Sequence, residues 1–412
     1  MEKKPVDIDY SASAVPKSER RSLLTMFMIM LGFTFFSASM WTGQTLAYGL
    51  NLGGFVKALL LGGAILGVYT GLLGYVGAET GLSLDLLSCK AFGVKGSYLP
   101  SAMISFTQIG WFGVGVAMFA IPVSNQFFSG STTATWILVI VAGILMTSSA
   151  YFGIKSLTIV SYIAVPCVAI LGSIAMIMAV AKGEATLADQ FLTASAKSPL
   201  SVIAGAGLVI GSFVSGGTAT PNFTRFSKTG KSAFWVTVVA FFVGNSLMLF
   251  FGGIAGAYVG GNDIFDVMLN LNLFYAAILV LGLNIWTTND NALYSAGLGL
   301  ANIFSKRKKP MVLISGIIGT VTAIWLYNNF CSWLNILNCT LPPIGLILIL
   351  DYFLHKDSYA AIGGEKKVNW FAVLGVVLGA TVANLLSWGI AAFNGMAVAA
   401  VCYFVGEAVN RK

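Results

Sequence analysis

The chain has 412 residues, of which 57% are hydrophobic and only 9% are charged, and its formal net charge is +8. Charged residues reach about a third of the share that is usual in soluble domains, which excludes a soluble globular protein and predicts a polytopic membrane protein. Nucleic-acid binding, the other common interpretation of a basic chain, is disfavoured because the basic residues lie in short segments between apolar stretches.

The first segment, residues 1–22, is polar and lacks the apolar run and cleavage site of a signal peptide, so we expect a cytosolic tail. A membrane helix needs about 20 apolar residues, and this criterion predicts an all-α chain of twelve spans. The predicted spans are 23–49, 55–78, 98–124, 133–153, 158–181, 200–221, 232–260, 273–300, 311–327, 329–353, 368–387 and 389–408. Only the run Tyr327-Asn328-Asn329 divides the ninth span from the tenth, so eleven spans is the alternative count.

The predicted parts of the chain after the tail are a core over 23–353, a cytosolic loop over 354–367, two further helices over 368–408 and a cytosolic tail over 409–412.

Basic residues predict the orientation of these spans. With the N-terminus inside, 20 of the 23 basic residues fall on the inner side, and the outer side keeps Lys57, Lys182 and Lys197. Because positive residues concentrate on the cytosolic side of membrane proteins, this distribution predicts that both termini are cytosolic.

Two predicted spans contain residues that interrupt a helix. Small and polar residues break the first span at 32–39 and the sixth span at 211–218. A broken helix frees backbone groups that are tolerated only where they line a cavity, and a pair of such helices is typical of secondary transporters. The carbonyls of Gly32 and Phe36 are candidate ligands of a cation. A kink that serves packing alone is the alternative interpretation.

The third span and the second interruption carry candidate ligand-binding side chains. Gln108 and Trp111 are three residues apart and share a helix face, a pairing suited to a flat heteroaromatic molecule. Ser212, Phe213 and Ser215 add two hydroxyls and a ring without a nearby cationic side chain, so we expect a neutral ligand. Plain packing of the tryptophan against a neighbouring helix is the alternative.

The eighth span contains a stripe of uncharged polar residues. Asn284, Thr287, Thr288 and Asn291 recur at helical spacing, and their oxygens suit Na⁺, a hard cation. Asp290 lies off this stripe and is the one carboxylate well inside a predicted span. It is either a functional group, such as a proton carrier, or a hydrogen-bonded anchor between helices, or a charge near a water-filled vestibule.

Three long stretches, 31–43, 108–122 and 282–294, identify a family. They resemble the nucleobase–cation symporter-1 family, and the resemblance extends over nearly the whole chain. The resemblance implies a five-plus-five inverted repeat of the leucine-transporter type, with helices 1 and 6 broken and two extra C-terminal helices. It also implies a transporter of the bacterial inner membrane, not an enzyme, that couples a nucleobase to Na⁺.

The resemblance also assigns site residues by position. The rings of Trp111 and Phe213 would sandwich the base. The substrate set is Gln108, Trp111, Ser212, Phe213, Ser215 and Asn284. The Na⁺ set comprises the carbonyls of Gly32, Phe36 and Asn284 and the hydroxyls of Thr287 and Thr288.

The function expected from this resemblance is import of cytosine with Na⁺ by alternating access, with no nucleic acid and no obligate protein partner. The alternatives are coupling to protons, or uptake of another heterocycle such as a purine, uracil, hydantoin or a vitamin. An intramembrane hydrolase is disfavoured because the spans lack paired catalytic groups. A channel is disfavoured because two broken helices around a stacking site favour occlusion over continuous flow.

Overall fold

The architecture of the chain is all-α, as the sequence predicts. We describe it from a computed structural model, which covers residues 9–261, 263–360, 366–386 and 389–410, with the backbone alone at 330–338, 360 and 410. Among these residues the only β-type pairing is an isolated bridge between Arg21 and Ser227.

The helices fall on all twelve predicted windows and add four short helices between them. They are α1 Leu23–Thr34, α2 Ser37–Gly49, α3 Leu52–Thr80, α4 Leu84–Phe92, α5 Tyr98–Phe128, α6 Thr132–Phe152, α7 Ile154–Lys182, α8 Leu187–Ser195, α9 Val202–Thr218, α10 Pro221–Thr224, α11 Gly230–Val259, α12 Ile264–Asn270, α13 Phe274–Phe304, α14 Lys308–Asn328, α15 Phe330–Leu354, α16 Trp370–Leu385 and α17 Ala391–Asn410. The four short helices are α4, α8, α10 and α12.

Several of these helices can cross a membrane. Among the described residues, seven are long and apolar enough, namely α3, α5, α6, α7, α11, α14 and α17, and α1 with α2 makes an eighth as one bent span. Their outward faces carry large apolar side chains such as Ile144, Ile177 and Val321, which are 64%, 62% and 66% exposed. Such faces suit lipid contact. The total of twelve spans stays a prediction.

The first span is broken where the sequence predicts it. The axes of α1 and α2 differ by 56°, and only Phe35 and Phe36 separate the two helices. Both residues are extended, with φ and ψ of −80° and 91° at Phe35 and of −140° and 131° at Phe36. Extended backbone cannot continue the helical hydrogen-bond pattern, so carbonyl groups near the break become available to other partners.

The sixth predicted span is not interrupted where the sequence predicts a break. Residues 211–218 are helical, so the predicted interruption at the Gly-Gly pair is wrong. The helix ends after Thr218, because Pro221 has no N–H and its ring would clash with the carbonyl of Gly217 in a continuous helix. Thr220 closes this end, since its N–H and its hydroxyl donate to the Gly217 carbonyl at 3.1 and 2.6 Å.

Two glycines let α2 and α11 cross with their backbones in contact. A Cβ added at Gly43 would lie 1.9 Å from the carbonyl oxygen of Leu249, and one added at Gly252 would lie 1.7 Å from that of Met40. Small residues allow this kind of close helix approach in membranes. The crossing holds the second half of the first span against α11.

The segment before α1 is held by buried polar contacts. Lys308 Nζ lies 2.6 Å from Asp9 Oδ2, and both side chains are 2% exposed. The buried Arg225 donates to the main-chain carbonyl of Asp9 at 2.7 Å and to the hydroxyl of Tyr294 at 3.0 Å. We call these four residues, Asp9, Arg225, Tyr294 and Lys308, the tail clamp. It ties the N-terminal segment to α13, to the start of α14 and to the end of α10.

Candidate functional site

A small cavity lies where the break between α1 and α2 meets α5, α9 and α13. Its volume is about 10 Å³, space for about one water molecule, so the side chains around it are closely packed in this structure. Its lining residues are Phe33, Phe36, Trp111, Phe213, Gly216, Gln108, Ser212, Ser215 and Thr288. Five of the six predicted substrate residues are therefore brought together, and Asn284 is the one that does not line the cavity. Mostly aromatic walls with a few polar groups are typical of a site for a small flat molecule.

The broken span positions both predicted stacking rings. Phe36 meets Trp111 edge-on with ring centroids 5.4 Å apart, and Phe33 meets Phe213 edge-on at 5.2 Å. Edge-to-face contacts of this kind fix the plane of each ring. Sequence reasoning missed Phe33 as a wall of the cavity, because a phenylalanine in an apolar span carries no signal of its own.

Two polar groups of α5 face the cavity in different hydrogen-bonding states. Trp111 Nε1 donates to Ser215 Oγ at 3.0 Å, so the indole N–H is satisfied. Gln108 is 1% exposed, and its Nε2 has no hydrogen-bond partner in the described part of the chain. A buried donor without a partner is costly, by about 1–3 kcal/mol. The Gln108 amide is therefore suited to an acceptor atom on a ligand.

The hydroxyl of Ser212 is held from two sides. It donates to the carbonyl of Val209 at 2.8 Å and accepts from Asn245 Nδ2 at 3.1 Å. Asn245 lies at the end of a π-helical stretch, Ala240–Asn245, of α11. The sequence analysis missed Asn245, although an amide in an otherwise apolar span was a signal that could have found it.

Thr288 faces the carbonyls that the first break frees. Its hydroxyl lies 2.9 Å from the carbonyl oxygen of Phe35 and 3.3 Å from that of Phe33. The sequence assigned the carbonyls of Gly32 and Phe36 instead, and the Phe36 carbonyl accepts from the N–H of Ser39 at 3.0 Å. A group of oxygens from α1 and α13 thus meets at one point beside the cavity.

Asn284 joins the second half of the broken span to α13. Its Oδ1 accepts from Ser37 Oγ at 2.8 Å, and its Nδ2 lies 3.3 Å from Met248 Sδ. Its main-chain carbonyl accepts from the hydroxyl of Thr287 at 3.0 Å. Asn284 therefore lies one helical turn before Thr288, and Thr287 directly precedes it, with their polar atoms bonded to protein groups.

Asp290 lies away from the cavity. Its side chain is fully buried and contacts Ser149 of α6. Its Oδ1 accepts from Asn291 Nδ2 at 3.4 Å, and the same amide donates to the carbonyl of Thr287 at 2.6 Å. This arrangement favours the interpretation of Asp290 as an anchor between helices. The polar stripe of α13 thus divides between the cavity and helix packing.

Comparisons with known proteins agree with this architecture. A family model described as "Permease for cytosine/purines, uracil, thiamine, allantoin" matches residues 14–406. Cytosine permease of Escherichia coli (strain K12) is 47% identical, over 98% of this chain and 96% of its own. MHP1, a nucleobase-cation-symport-1 family transporter in a closed conformation with bromovinylhydantoin bound, matches 97% of this chain and 95% of its own, with a TM-score of 0.79 and 16% identity.

A more distant fold relative is a Na⁺-coupled sialic acid symporter in a substrate-bound outward-open state. Its TM-score is 0.67 at 14% identity, over 94% of this chain and 89% of its own. At these identities the two solved structures establish the shared fold alone.

Proposed function

Because this chain belongs to the family of permeases for cytosine, purines, uracil, thiamine and allantoin, we propose that it imports cytosine together with Na⁺ by alternating access. Proteins of this family are transporters, so the chain is a multi-pass membrane permease and not an enzyme. The observation that carries the substrate proposal is the unpartnered amide of Gln108 in a cavity walled by Trp111 and Phe213.

Cytosine fits the chemistry of this cavity. The base is flat and neutral, and it would lie between the rings of Trp111 and Phe213, where stacking is worth about 1–3 kcal/mol per base. The Gln108 amide would donate to an acceptor on the ring edge, and Ser212 and Ser215 would complete the polar contacts. Asn284 would join them when its bond to Ser37 opens.

The oxygens around Thr288 support a cation between the broken span and α13. Backbone carbonyls at broken helices are the usual ligands of Na⁺ in transporters of this architecture. The proposed ligands from the family pattern are the carbonyls of Gly32, Phe36 and Asn284 and the hydroxyls of Thr287 and Thr288. To these the geometry adds the carbonyls of Phe33 and Phe35, which already face Thr288. One Na⁺ moving down 100 mV supplies about 2.3 kcal/mol, enough for roughly 50-fold accumulation.

The contacts of the tail clamp would hold the cytosolic ends of the helices together and so close the path to the cytosol. In the proposed orientation, with twelve spans of the bacterial inner membrane and both termini inside, Asp9, Arg225 and Lys308 lie at the cytosolic end of α1, α10 and α14. Release of substrate to the cytosol would require this end to separate. Na⁺ and cytosine would both bind at the break between α1 and α2, so each would stabilise the same closed arrangement, as coupling requires.

The test is uptake by purified protein in proteoliposomes. Radiolabelled cytosine is supplied outside with either NaCl or choline chloride, at the same pH on both sides of the membrane. We expect accumulation with Na⁺ and only background uptake with choline or with the Trp111→Ala variant. Undiminished uptake in choline would refute Na⁺ coupling. Uptake that follows an imposed pH gradient would show that the transporter is coupled to protons instead.

A competition panel tests the substrate. Unlabelled cytosine, uracil, adenine and hydantoin are added to the same uptake assay in excess. We expect cytosine to compete most strongly, because a cytosine permease is 47% identical over 98% of this chain. Stronger competition by another of these heterocycles would assign the cavity to that compound and would leave the transport class unchanged.

A further inference from the structure

Asn245 lies behind the cavity wall and is not among the residues that line it. Its side chain is 1% exposed, and its Nδ2 donates to the hydroxyl of Ser212, which does line the cavity. A serine hydroxyl has one proton and two lone pairs. The proton of Ser212 goes to the Val209 carbonyl, and Asn245 takes one lone pair. One lone pair therefore remains for a ligand.

We propose that Asn245 is a positioning residue that fixes Ser212 as a hydrogen-bond acceptor towards the substrate, so that the site selects a base with an N–H donor at this point. The proposal rests on the cytosine site proposed above. The exocyclic amine of cytosine is such a donor, whereas uracil carries a carbonyl at the same ring position. With Gln108 as a donor, the cavity offers a matched donor and acceptor to an amino-carbonyl heterocycle.

The helix that carries Asn245 is irregular at this point. Ala240–Asn245 is π-helical, and π-helical turns occur frequently at functional sites because they redirect a side chain. The same stretch packs on the broken span, since the hydroxyl of Thr34 donates to the Ala240 carbonyl at 3.2 Å. Asn245 thus connects Ser212 to a backbone segment that contacts the end of α1.

A double-mutant cycle tests this role. Affinities for cytosine and uracil are measured at saturating Na⁺ by isothermal titration of purified wild-type protein, Asn245→Ala, Ser212→Ala and the double variant. We expect each single substitution to weaken cytosine binding about 3- to 10-fold, the range of one hydrogen bond. The double variant should bind cytosine no more weakly than Ser212→Ala, because Asn245 acts through that hydroxyl. The cytosine-to-uracil affinity ratio should fall in Asn245→Ala, since Ser212 becomes free to donate.

Asn302→Ala is the matched control, because the Asn302 amide also donates to serine hydroxyls, those of Ser97 and Ser101, away from the cavity. It should leave the affinity ratio unchanged. If Asn245→Ala does not fold, Asn245→Leu keeps the side-chain volume without an amide and should give the same result. Additive losses in the cycle, or an unchanged ratio, would overturn the role of Asn245. An unchanged cytosine affinity in Ser212→Ala would instead remove Ser212 from the proposed substrate site.

Discussion

In the proposed site, Trp111 supplies an aromatic surface on which the substrate would stack. We expect Trp111→Ala to weaken cytosine binding by about 1–3 kcal/mol, or roughly 5- to 150-fold, because the base loses an aromatic surface. Trp111→Phe should lose less, since a ring remains although the N–H to Ser215 is gone. Binding of radiolabelled cytosine to purified protein measures both. Trp235→Ala is the control, because that ring is 63% exposed on the outside of the bundle and its loss should leave cytosine affinity unchanged. An equal loss of cytosine affinity in the two alanine variants would contradict stacking on Trp111.

Thr288 should govern the affinity for the cation. Thr288→Ala removes the hydroxyl that faces the Phe33 and Phe35 carbonyls, so we expect the Na⁺ concentration for half-maximal cytosine binding to rise about tenfold, as the loss of ~1.4 kcal/mol would require. Cytosine affinity at saturating Na⁺ should change little. A Na⁺ titration of cytosine binding separates the two effects, with Thr288→Ser expected to restore the cation affinity. Thr322→Ala, whose hydroxyl bonds only within α14, is the control.

Asp85 in α4, outside the membrane spans, should make stability depend on pH. Burial raises the pKa of this carboxyl to about 6, against the opposing effects of the Ser101 hydroxyl and the charge of Arg225. A raised pKa in the folded protein means that the stabilising contribution is present below pH ~4 and is lost as the pH rises through 6. Asp85→Asn should therefore raise the Tm by a few degrees at pH 7.5 and hardly change it at pH 4.

Thermal unfolding in detergent at the two pH values measures this effect. The exposed Asp357→Asn should change the Tm at neither pH. A lower Tm of Asp85→Asn at pH 7.5 would show that the attraction to Arg225 outweighs the burial of the charge.

Single residues were predictable where side-chain chemistry alone marks a position. Gln108, Trp111 and Ser215 stand out as polar or aromatic groups at helical spacing, and all three line the cavity. The carbonyls that face Thr288 were not predictable, because every residue has one and only the backbone angles at Phe35 and Phe36 decide which are freed. Asn284 bonds to Ser37, a partner 247 residues away in sequence.

Among the helices, α9 offers a test of why its glycines are present. A Cβ at Gly216 would lie 2.7 Å from the ring of Phe213, so the glycine makes room for the ring within a regular helix. Gly216→Ala should displace the ring and weaken cytosine binding about fivefold or more, since overpacking costs about 1–3 kcal/mol. Gly207→Ala on the same helix meets only ordinary contacts at 3.6 Å and should leave binding unchanged. If Gly216→Ala and Gly207→Ala bound cytosine with equal affinity, space for the Phe213 ring would not be the reason for the glycine at 216.

Helices were predictable as apolar segments of sufficient length, and their ends were not. The windows for α3 and α14 came from hydropathy alone, and the structure extends each by a few residues. The break predicted in the sixth span was wrong because glycine suggests flexibility, whereas residues 211–218 are helical. The helix ends after Thr218, where Pro221 lacks an N–H and the Thr220 hydroxyl donates to the Gly217 carbonyl. The short helices α4 and α8 escaped notice because their sequences are too brief for a hydropathy signal.

The whole molecule should respond to loss of the tail clamp. Lys308→Met leaves Asp9 buried without its cation, and breaking such a pair from one side costs about 3–5 kcal/mol. We expect the N-terminal segment to detach, so that backbone hydrogen exchange over residues 9–21 becomes at least tenfold faster. Asp9→Asn combined with Lys308→Met should recover part of the protection, because no unpaired charge remains buried. Hydrogen exchange with mass spectrometry measures the segment directly.

Lys309→Met is the control for this experiment. Lys309 is the next residue along α14, is exposed, and lies over the ring of Tyr151 at 5.0 Å. Its substitution should leave exchange over residues 9–21 at the wild-type rate. Unchanged exchange in Lys308→Met as well would show that the other contacts of the segment suffice to hold it.

The crossing of α2 and α11 has a consequence for any survey of tolerated substitutions. A Cβ at Gly43 or Gly252 would lie closer to a main-chain oxygen of the opposite helix than any side chain can approach. In a library of all single variants selected for growth on cytosine, both positions should be depleted of every alternative residue. Both glycines would then be as strongly depleted as Trp111, although neither contacts the substrate. Depletion alone therefore could not distinguish residues that line the cavity from residues that pack the crossing of α2 and α11.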